Sequence, residues 1–576
     1  MSTRITCLSW GASIALVSSL MAPLARGQCL YPGECDPTCT QGPDVITGKL
    51  TGPANYHSLN GIEALSLGTY ACNIGNVWVD WMSDNNRHPV IGGNLYKYSV
   101  VDGAGHFEQV GLSWLKHAFY ADSDNLCCED CQATDGTHLG VHCADPYTAG
   151  RNGTQSLLGP RWQVNAHTGA FPYPPANPPY SGSVARRLEV DESELAPSDG
   201  TTVRYFGESH YVTPDDCAAG NQNNNASYRE VTASSDPASG EWTFDFAAGS
   251  RTERAMQAIQ AWPLVDPGTQ LTPVQLPNGG LYIVGSHATP IAAGRYHYEY
   301  AVYNMNDDDD AGSFSIPFCS GAGVTNIGFH GVTYRDGDGP GDVDIDNTPW
   351  PAALSTVGLT WSTQPIMLNI RANAIRWGTT YNFRFDSSAP PVSGLATVRL
   401  WKHPGSFTAR VDVPGPACTT PSASFCAGDG HAAACPCNNS SRGNLGGCVN
   451  SLGHGARLTT DGVASVSADS IVLAASGMPN DTALYLQGST GAGASRARVF
   501  GDGLLCLDGA ITRLGWRVNA AGASRYPGAL DVPISVRGAA AIGATRTYQV
   551  WYRDAAEFCT SSTENATNAI EVTWQP

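Results

Sequence analysis

Five aspartates fall within a short Gly-rich stretch, Asp336-Gly-Asp338-Gly-Pro-Gly-Asp342-Val-Asp344-Ile-Asp346. If residues 342–346 are extended, Asp342, Asp344 and Asp346 share one face. Carboxylates this close repel each other, and a hard cation relieves the repulsion. Ca²⁺ accepts clustered carboxylates and loop carbonyls, so calcium is the ion this spacing suits. The spacing is not that of an EF-hand, and the bidentate Glu is missing. The competing reading is a solvated acidic loop. Asp307 to Asp310 is read as a solvated turn between strands, with Ca²⁺ binding as the alternative. A second constellation is His138 with His142, followed by Cys143 and Asp145 and preceded by Cys127, Cys128 and Cys131. On a strand both imidazoles would face one way and reach one Zn²⁺ or Cu²⁺. The plainer alternative is a disulfide-pinned loop carrying surface histidines. His88, His106, His117, His210, His287, His297 and His330 are scattered. An extracellular copper or zinc enzyme gathers such residues from distant strands, and His88 and His117 meeting His138 or His142 would mark one.

Familiar catalytic signatures do not appear. G-x-S-x-G, H-E-x-x-H, G-x-x-x-x-G-K-[ST] and G-x-G-x-x-G are all missing. Aromatic residues offer another chemistry, since exposed flat rings stack on sugars. Trp78, Trp81, Trp350, Trp361 and Trp377 are candidates, with core packing as the ordinary fate of an indole.

These side chains sit on a 576-residue chain of formal net charge −19, with 32 Lys+Arg against 51 Asp+Glu. That charge excludes a phosphate-backbone binder, so no nucleic-acid partner is expected. An apolar content of 42% excludes a disordered acidic chain. Gly at 64 and Pro at 37, with only 14% charged residues, suit short strands and turns rather than long helices. Residues 1–27 read as a secretory signal peptide: Arg4, an apolar run from Ala12 to Leu20, then small residues ending at Gly27. The run is too short to span a bilayer, and no transmembrane segment is expected. Cleavage removes two arginines and no acid, taking the charge from −19 to −21. It also removes Cys7, leaving 17 of the 18 cysteines. Export makes these disulfide candidates. An odd number leaves one thiol unpaired or bonded to another chain. Adjacent Cys127 and Cys128 are expected to bond to different partners.

The elements that would position the candidate residues are strands. Asn94 to Val100, a turn at Asp102 to Gly105, and His106 to Val110 form a hairpin signal. Tyr296 to Tyr303 alternates, with Tyr296, Tyr298, Tyr300 and Val302 on one face and His297, Glu299, Ala301 and Tyr303 on the other. One short helix is expected, Arg251 to Ala261, ended by Pro263. The fold class is therefore all-β and multidomain: disulfide-stabilised β-sandwich modules, Ig-like or jelly-roll-like, with long loops. The expected division is an N-terminal β-rich domain at 28–262, a linker at 263–280, an Ig-like sandwich at 281–412, a linker at 413–421 and a Cys-rich β-module at 422–576.

The last module carries Phe425-Cys426-Ala-Gly-Asp429-Gly430, Cys435-Pro436-Cys437, Gly447-Cys448-Val-Asn450-Ser451, Phe500-Gly-Asp-Gly503 with Cys506, and Tyr548-Gln-Val-Trp-Tyr-Arg-Asp554 with Phe558-Cys559. In these motifs it resembles a Cys-rich β-module recurring at the ends of secreted bacterial multidomain proteins of planctomycete type. The resemblance implies export and β-architecture and transfers no catalytic residue. The combined expectation is a secreted or cell-surface protein for adhesion, surface assembly or glycan binding, stiffened by calcium. The alternative is an extracellular hydrolase or metal-dependent oxidase with its site in the N-terminal domain.

Overall fold

A computed structural model of the chain describes residues 40–127, 130–195, 203–277, 280–318, 322–355, 358–415, 422–441, 446–466, 469–489, 497–528, 531–556 and 560–575. The expected signal peptide at 1–27, Cys29, Cys35, Cys39, Cys128 and residues 416–421 of the second expected linker lie outside the described residues. The described chain is antiparallel β-structure in three modules, with helices of only four to six residues. Among the described residues no helix is long and apolar enough to cross a membrane.

The first module is one 11-stranded sheet. Its main path runs through Val45–Leu59, Ile62–Asn73, Leu188–Asp191, Ala104–Leu112, Val90–Val101, Val203–Val212, Ala226–Ser235 and Trp242–Phe246. The expected hairpin is present as Val90–Val101 paired with Ala104–Leu112. The sheet curls until its ends meet. Asn55 of the first strand and the Phe244 backbone of the last exchange hydrogen bonds of 2.9 and 2.8 Å. Curling is the physical remedy for two long unpaired edges. Leu50, Leu65, Leu95, Val110, Val190 and Val231 are among the apolar side chains enclosed. Cys72–Cys127 and Cys131–Cys143 pin the long loop that follows.

The second module is a sandwich of two five-stranded sheets, the architecture expected for it. One sheet runs Gln270–Gln275, Leu281–Ala292, Arg295–Asn304, Thr379–Ser387, Thr325–His330. The facing sheet runs Ala352–Leu354, Gly358–Ser362, Ala311–Pro317, Pro391–Leu400, Ser406–Pro414. Tyr298, Tyr300 and Val302 point into the core between them, with Phe314, Trp361, Phe383 and Phe385. The other face of the same strand is also buried. Ala301 and Tyr303 pack with Leu281 and Ile283 against Tyr96, Phe107, Phe206 and Trp262 of the first module. This contact absorbs residues 263–280, expected as a linker: they contribute the strand Gln270–Gln275, paired with Leu281–Ala292.

The expected helix Arg251–Ala261 does not form. A 3₁₀ turn covers only Ala258–Ala261, and a four-residue helix, Trp262–Val265, carries Pro263 in its first turn. The backbone upstream is held by the sheet instead. Ala255 N–H donates to Ser227 Oγ at 3.0 Å and Ala258 N–H to Glu208 Oε2 at 2.7 Å. These tertiary bonds outweigh the modest helix propensity of the segment.

The third module pairs a six-stranded and a three-stranded sheet over a core including Leu473, Tyr485, Tyr548, Val550 and Trp574. Cys426–Cys506 and Cys435–Cys448 close its Cys-rich loops, and Cys437 is disulfide-bonded too.

Candidate ligand cleft and buried ionic network

A cavity of about 260 Å³ opens where the first two modules meet. Its walls come from five distant segments. Arg161 and Trp162 begin the 3₁₀ turn after Pro160. Asp308 and Asp310 come from the turn after Arg295–Asn304, and Tyr334 and Asp338 from the loop after Thr325–His330. Arg376 and Trp377 precede the strand Thr379–Ser387, while Trp401 and Lys402 follow Pro391–Leu400.

The cations are tightly held. Arg161 donates through Nε to the Ser113 carbonyl at 2.6 Å and through Nη2 to Gly93 O and Asn94 Oδ1, both at 3.0 Å. Its guanidinium lies over the Trp377 ring at 5.4 Å, and Arg376 lies over Trp401 at 5.0 Å. Such cation–π contacts fix both partners in place. Gly378 permits this approach: a Cβ there would come within 2.7 Å of Arg161 Nη1. Arg376 Nη1 reaches Asp310 at 3.2 Å, and Lys402 Nζ stands 3.3 Å from both Asp308 and Asp310. Asp307 to Asp310 is thus not the solvated turn expected. Asp307 accepts the Tyr282 hydroxyl at 2.9 Å, and Asp307 and Asp310 are buried. Ile366 and Ile370 also line the cavity, and Met367 and Leu368 between them are exposed, an apolar lip.

Burial pushes Asp338 up to about 7 and Asp310 up to about 6, against the attraction of Arg161 for the first and of Arg376 and Lys402 for the second. Asp338 Oδ1 accepts the Arg161 N–H at 2.6 Å, while Oδ2 is buried without a hydrogen-bond partner. The folded state therefore binds the Asp338 proton more tightly than the unfolded state. Its contribution to stability falls as pH rises from about 4 to about 7. Asp338→Asn keeps the Oδ1 acceptor and removes the ionisation. It is expected to gain on the order of 1–3 kcal/mol relative to wild type between pH 5 and pH 8. Chemical denaturation of both proteins at the two pH values checks this, and parallel pH profiles would refute it.

A second polar cluster lies between the modules, where the Ala104–Leu112 strand faces Arg295–Asn304 and Thr379–Ser387. Glu299 Oε2 sits 3.1 Å from His106 Nδ1, 3.4 Å from His297 Nε2 and 3.0 Å from Arg384 Nε. Its Oε1 accepts from Asn382 at 2.9 Å. His297 Nδ1 contacts Asp386 at 2.8 Å. Arg384 also pairs with Glu108. Lys97 bridges Glu108 and Glu194, and Glu194 meets His330 at 3.2 Å. Arg384 and the two histidines hold Glu299 well below the usual carboxylate range despite its burial. His330 and Lys97 hold Glu194 down at about 2.

Among the described residues, two groups bring at least three His, Cys, Asp or Glu ligand atoms within 4.8 Å of one another: His106, His297, Glu299 and Glu108, Glu194, His330. They draw on His106, His297 and His330 of the scattered histidines, and on none of the aspartates of the 336–346 stretch nor on His138 or His142. Asp336 accepts the Arg186 N–H, Asp338 the Arg161 N–H, Asp344 the Gly337 N–H and Asp346 the Thr348 N–H. Residues 342–346 are not a strand, and Asp336 and Asp342 have left-handed backbone angles of 65° and 58°. The five carboxylates are thus spread around a loop.

His138 meets Asp80 at 3.2 Å under the ring of Trp78, rather than His142. The strand there is only His138–Leu139, and His142 lies in a turn with φ 63°. His88 Nε2 and His117 Nδ1 do meet, at 2.8 Å. They form a pair inside a cage of Phe119, Phe171 and Tyr173. Burial lowers them to about 4 and about 3, and no third ligand joins them among the described residues. Of the tryptophans, Trp81, Trp350 and Trp361 are core, Trp78 is exposed, and Trp377 lines the cleft. Cys217 is a free cysteine; its sulfur lies 3.6 Å from the Ala166 carbonyl. Burial raises its thiol far above the ordinary value, which disfavours the thiolate that disulfide exchange with another chain needs.

No family model and no curated protein matches the chain. A crystal structure of the serine-rich repeat protein Srr2 from Streptococcus agalactiae aligns over 65% of this chain and 95% of its own, at 11% identity and a TM-score of 0.15. A BSP domain of a biofilm-associated protein aligns over 94% of this chain and 84% of its own, at 8% identity and a TM-score of 0.12. Scores this low carry no argument about topology or function. The architecture stands on the strands themselves: a multidomain, disulfide-bonded β-protein.

Proposed function

We propose that this is an exported adhesion-type protein that binds a carbohydrate in the cleft between its first two modules. The disulfides support folding in an oxidising compartment. The observation that carries the reading is the cleft itself, where Trp162, Trp377 and Trp401 stand beside Asp308, Asp310, Arg376 and Lys402. Indole faces stack on sugar rings, and fixed carboxylates and guanidinium groups hydrogen-bond to their hydroxyls. A cavity with apolar walls and a few converging polar groups is the usual form of such a site. The apolar lip at Met367 and Leu368 would contact whatever carries the sugar.

A screen of the full chain against immobilised glycans is expected to return a limited set of ligands. Trp162→Ala, which removes the exposed indole of the cleft, is expected to weaken their binding at least tenfold. An empty screen, or equal binding by a folded Trp162→Ala protein, would count against the reading.

One observation favours a second reading, an extracellular hydrolase. Burial raises Asp310 to about 6 and Asp338 to about 7, toward the range a general acid needs. Release of a chromophore from aryl glycosides by wild type and not by Asp338→Asn would favour that reading over binding alone.

A further inference from the structure

We propose that His106, His297 and Glu299 form a site for a zinc-class divalent metal ion that joins the first module to the second. The proposal is independent of the glycan reading, because no residue of the cleft takes part. Its ligand atoms are His106 Nδ1, His297 Nε2 and Glu299 Oε2. For bonds of about 2.0–2.1 Å, a tetrahedral ion has ligand–ligand edges of about 3.3 Å. The carboxylate oxygen lies 3.1 and 3.4 Å from the two ring nitrogens, so two edges already match such a tetrahedron, and all three atoms lie within 4.8 Å of one another.

The surroundings fit the same chemistry. A metal-bound imidazole is typically oriented by a carboxylate on its other nitrogen. Asp386 provides this for His297 at 2.8 Å. Asn382 donates to the free oxygen of Glu299 at 2.9 Å. Both fix ligand direction before an ion arrives. The ligands come from both modules, His106 from the strand Ala104–Leu112 and the other two from Arg295–Asn304. Binding would therefore clamp the junction. Arg384 is the competing cation, 3.0 Å from the same Glu299 oxygen. It has a second acceptor in Glu108, toward which it turns when the ion enters. Three protein ligands leave one of four positions for water or a small ligand.

The test uses the untagged full chain, stripped with EDTA and titrated with Zn²⁺ alone. One equivalent is expected to bind at micromolar protein concentration and to raise the melting temperature. Cobalt substituted for zinc should give the intense visible absorption of a four-coordinate ion. His106→Gln and His297→Gln are expected to weaken binding by more than the roughly 10–100-fold that loss of an outer partner costs, and Asp386→Asn by about that amount. Arg384→Met should tighten binding. Failure of the wild type to take up one equivalent would overturn the proposal, as would equal binding by histidine variants whose circular dichroism shows them folded. Should those variants not fold, cobalt bound to wild type without four-coordinate absorption overturns it by itself.

Discussion

Replacing Arg384 with methionine is expected to destabilise the folded protein by about 3–5 kcal/mol, the usual result of removing one partner from a buried charge set. The side chain keeps its length, so packing changes little. What changes is that Glu108 and Glu299 lose the guanidinium between them, and Glu299 is almost wholly buried. A carboxylate in that position must then find a proton or drag in water. Urea denaturation in the presence of EDTA, which keeps metal out of the comparison, measures the loss. The double variant Arg384→Met/Glu299→Gln should recover part of it, because only Glu108, which keeps Lys97 at 3.8 Å, is then left without the guanidinium. A loss under about 1 kcal/mol, the size of a surface ion pair, would show that solvent already reaches the network.

Trp262→Ala carries the other large effect, about 3–5 kcal/mol by the usual cost of truncating a buried aromatic residue. Trp262 is fully buried, and its indole stacks on Phe107 with centroids 6.3 Å apart. Gly285 of the second module makes room for it, since a Cβ there would lie 2.6 Å from the ring. The ring belongs to the apolar cluster that joins Tyr96 and Phe206 to Leu281, Ile283 and Tyr303. Its loss should therefore weaken the junction more than either core. Calorimetry of the variant should show the first two modules melting in separate transitions, where the wild type melts them together. A single transition shifted down in temperature would show that the junction does not depend on this residue.

How much of this was legible before the structure differs from residue to residue. The alternation over Tyr296 to Tyr303 placed the correct side chains on each face, because period-two patterning is a property of the strand alone. It could not say that His297 and Glu299 would meet His106, because the opposing strand lies nearly two hundred residues earlier. The same limit hid the cleft: Arg161, Asp310, Asp338 and Trp401 have no fixed spacing, and only the packing of two sheets brings them together. Local composition misled where tertiary bonds prevailed. The helix-prone stretch before Pro263 is captured by Ser227 and Glu208, and residues 342–346 do not form the strand that would have set three aspartates on one face.

The strand Gln270–Gln275 has a bearing on how the protein can be divided. A chain cut after residue 262 would keep the edge strand Gln270–Gln275 with the second sandwich but part Trp262 from the Leu281, Ile283 and Tyr303 face it packs with. A cut at 280 would leave that strand dangling from the first module. Either fragment would expose the Tyr96, Phe107 and Tyr303 surface together with half of a charge network. The first two modules thus pack as one unit, and a truncated chain is expected to stay soluble only if it carries both.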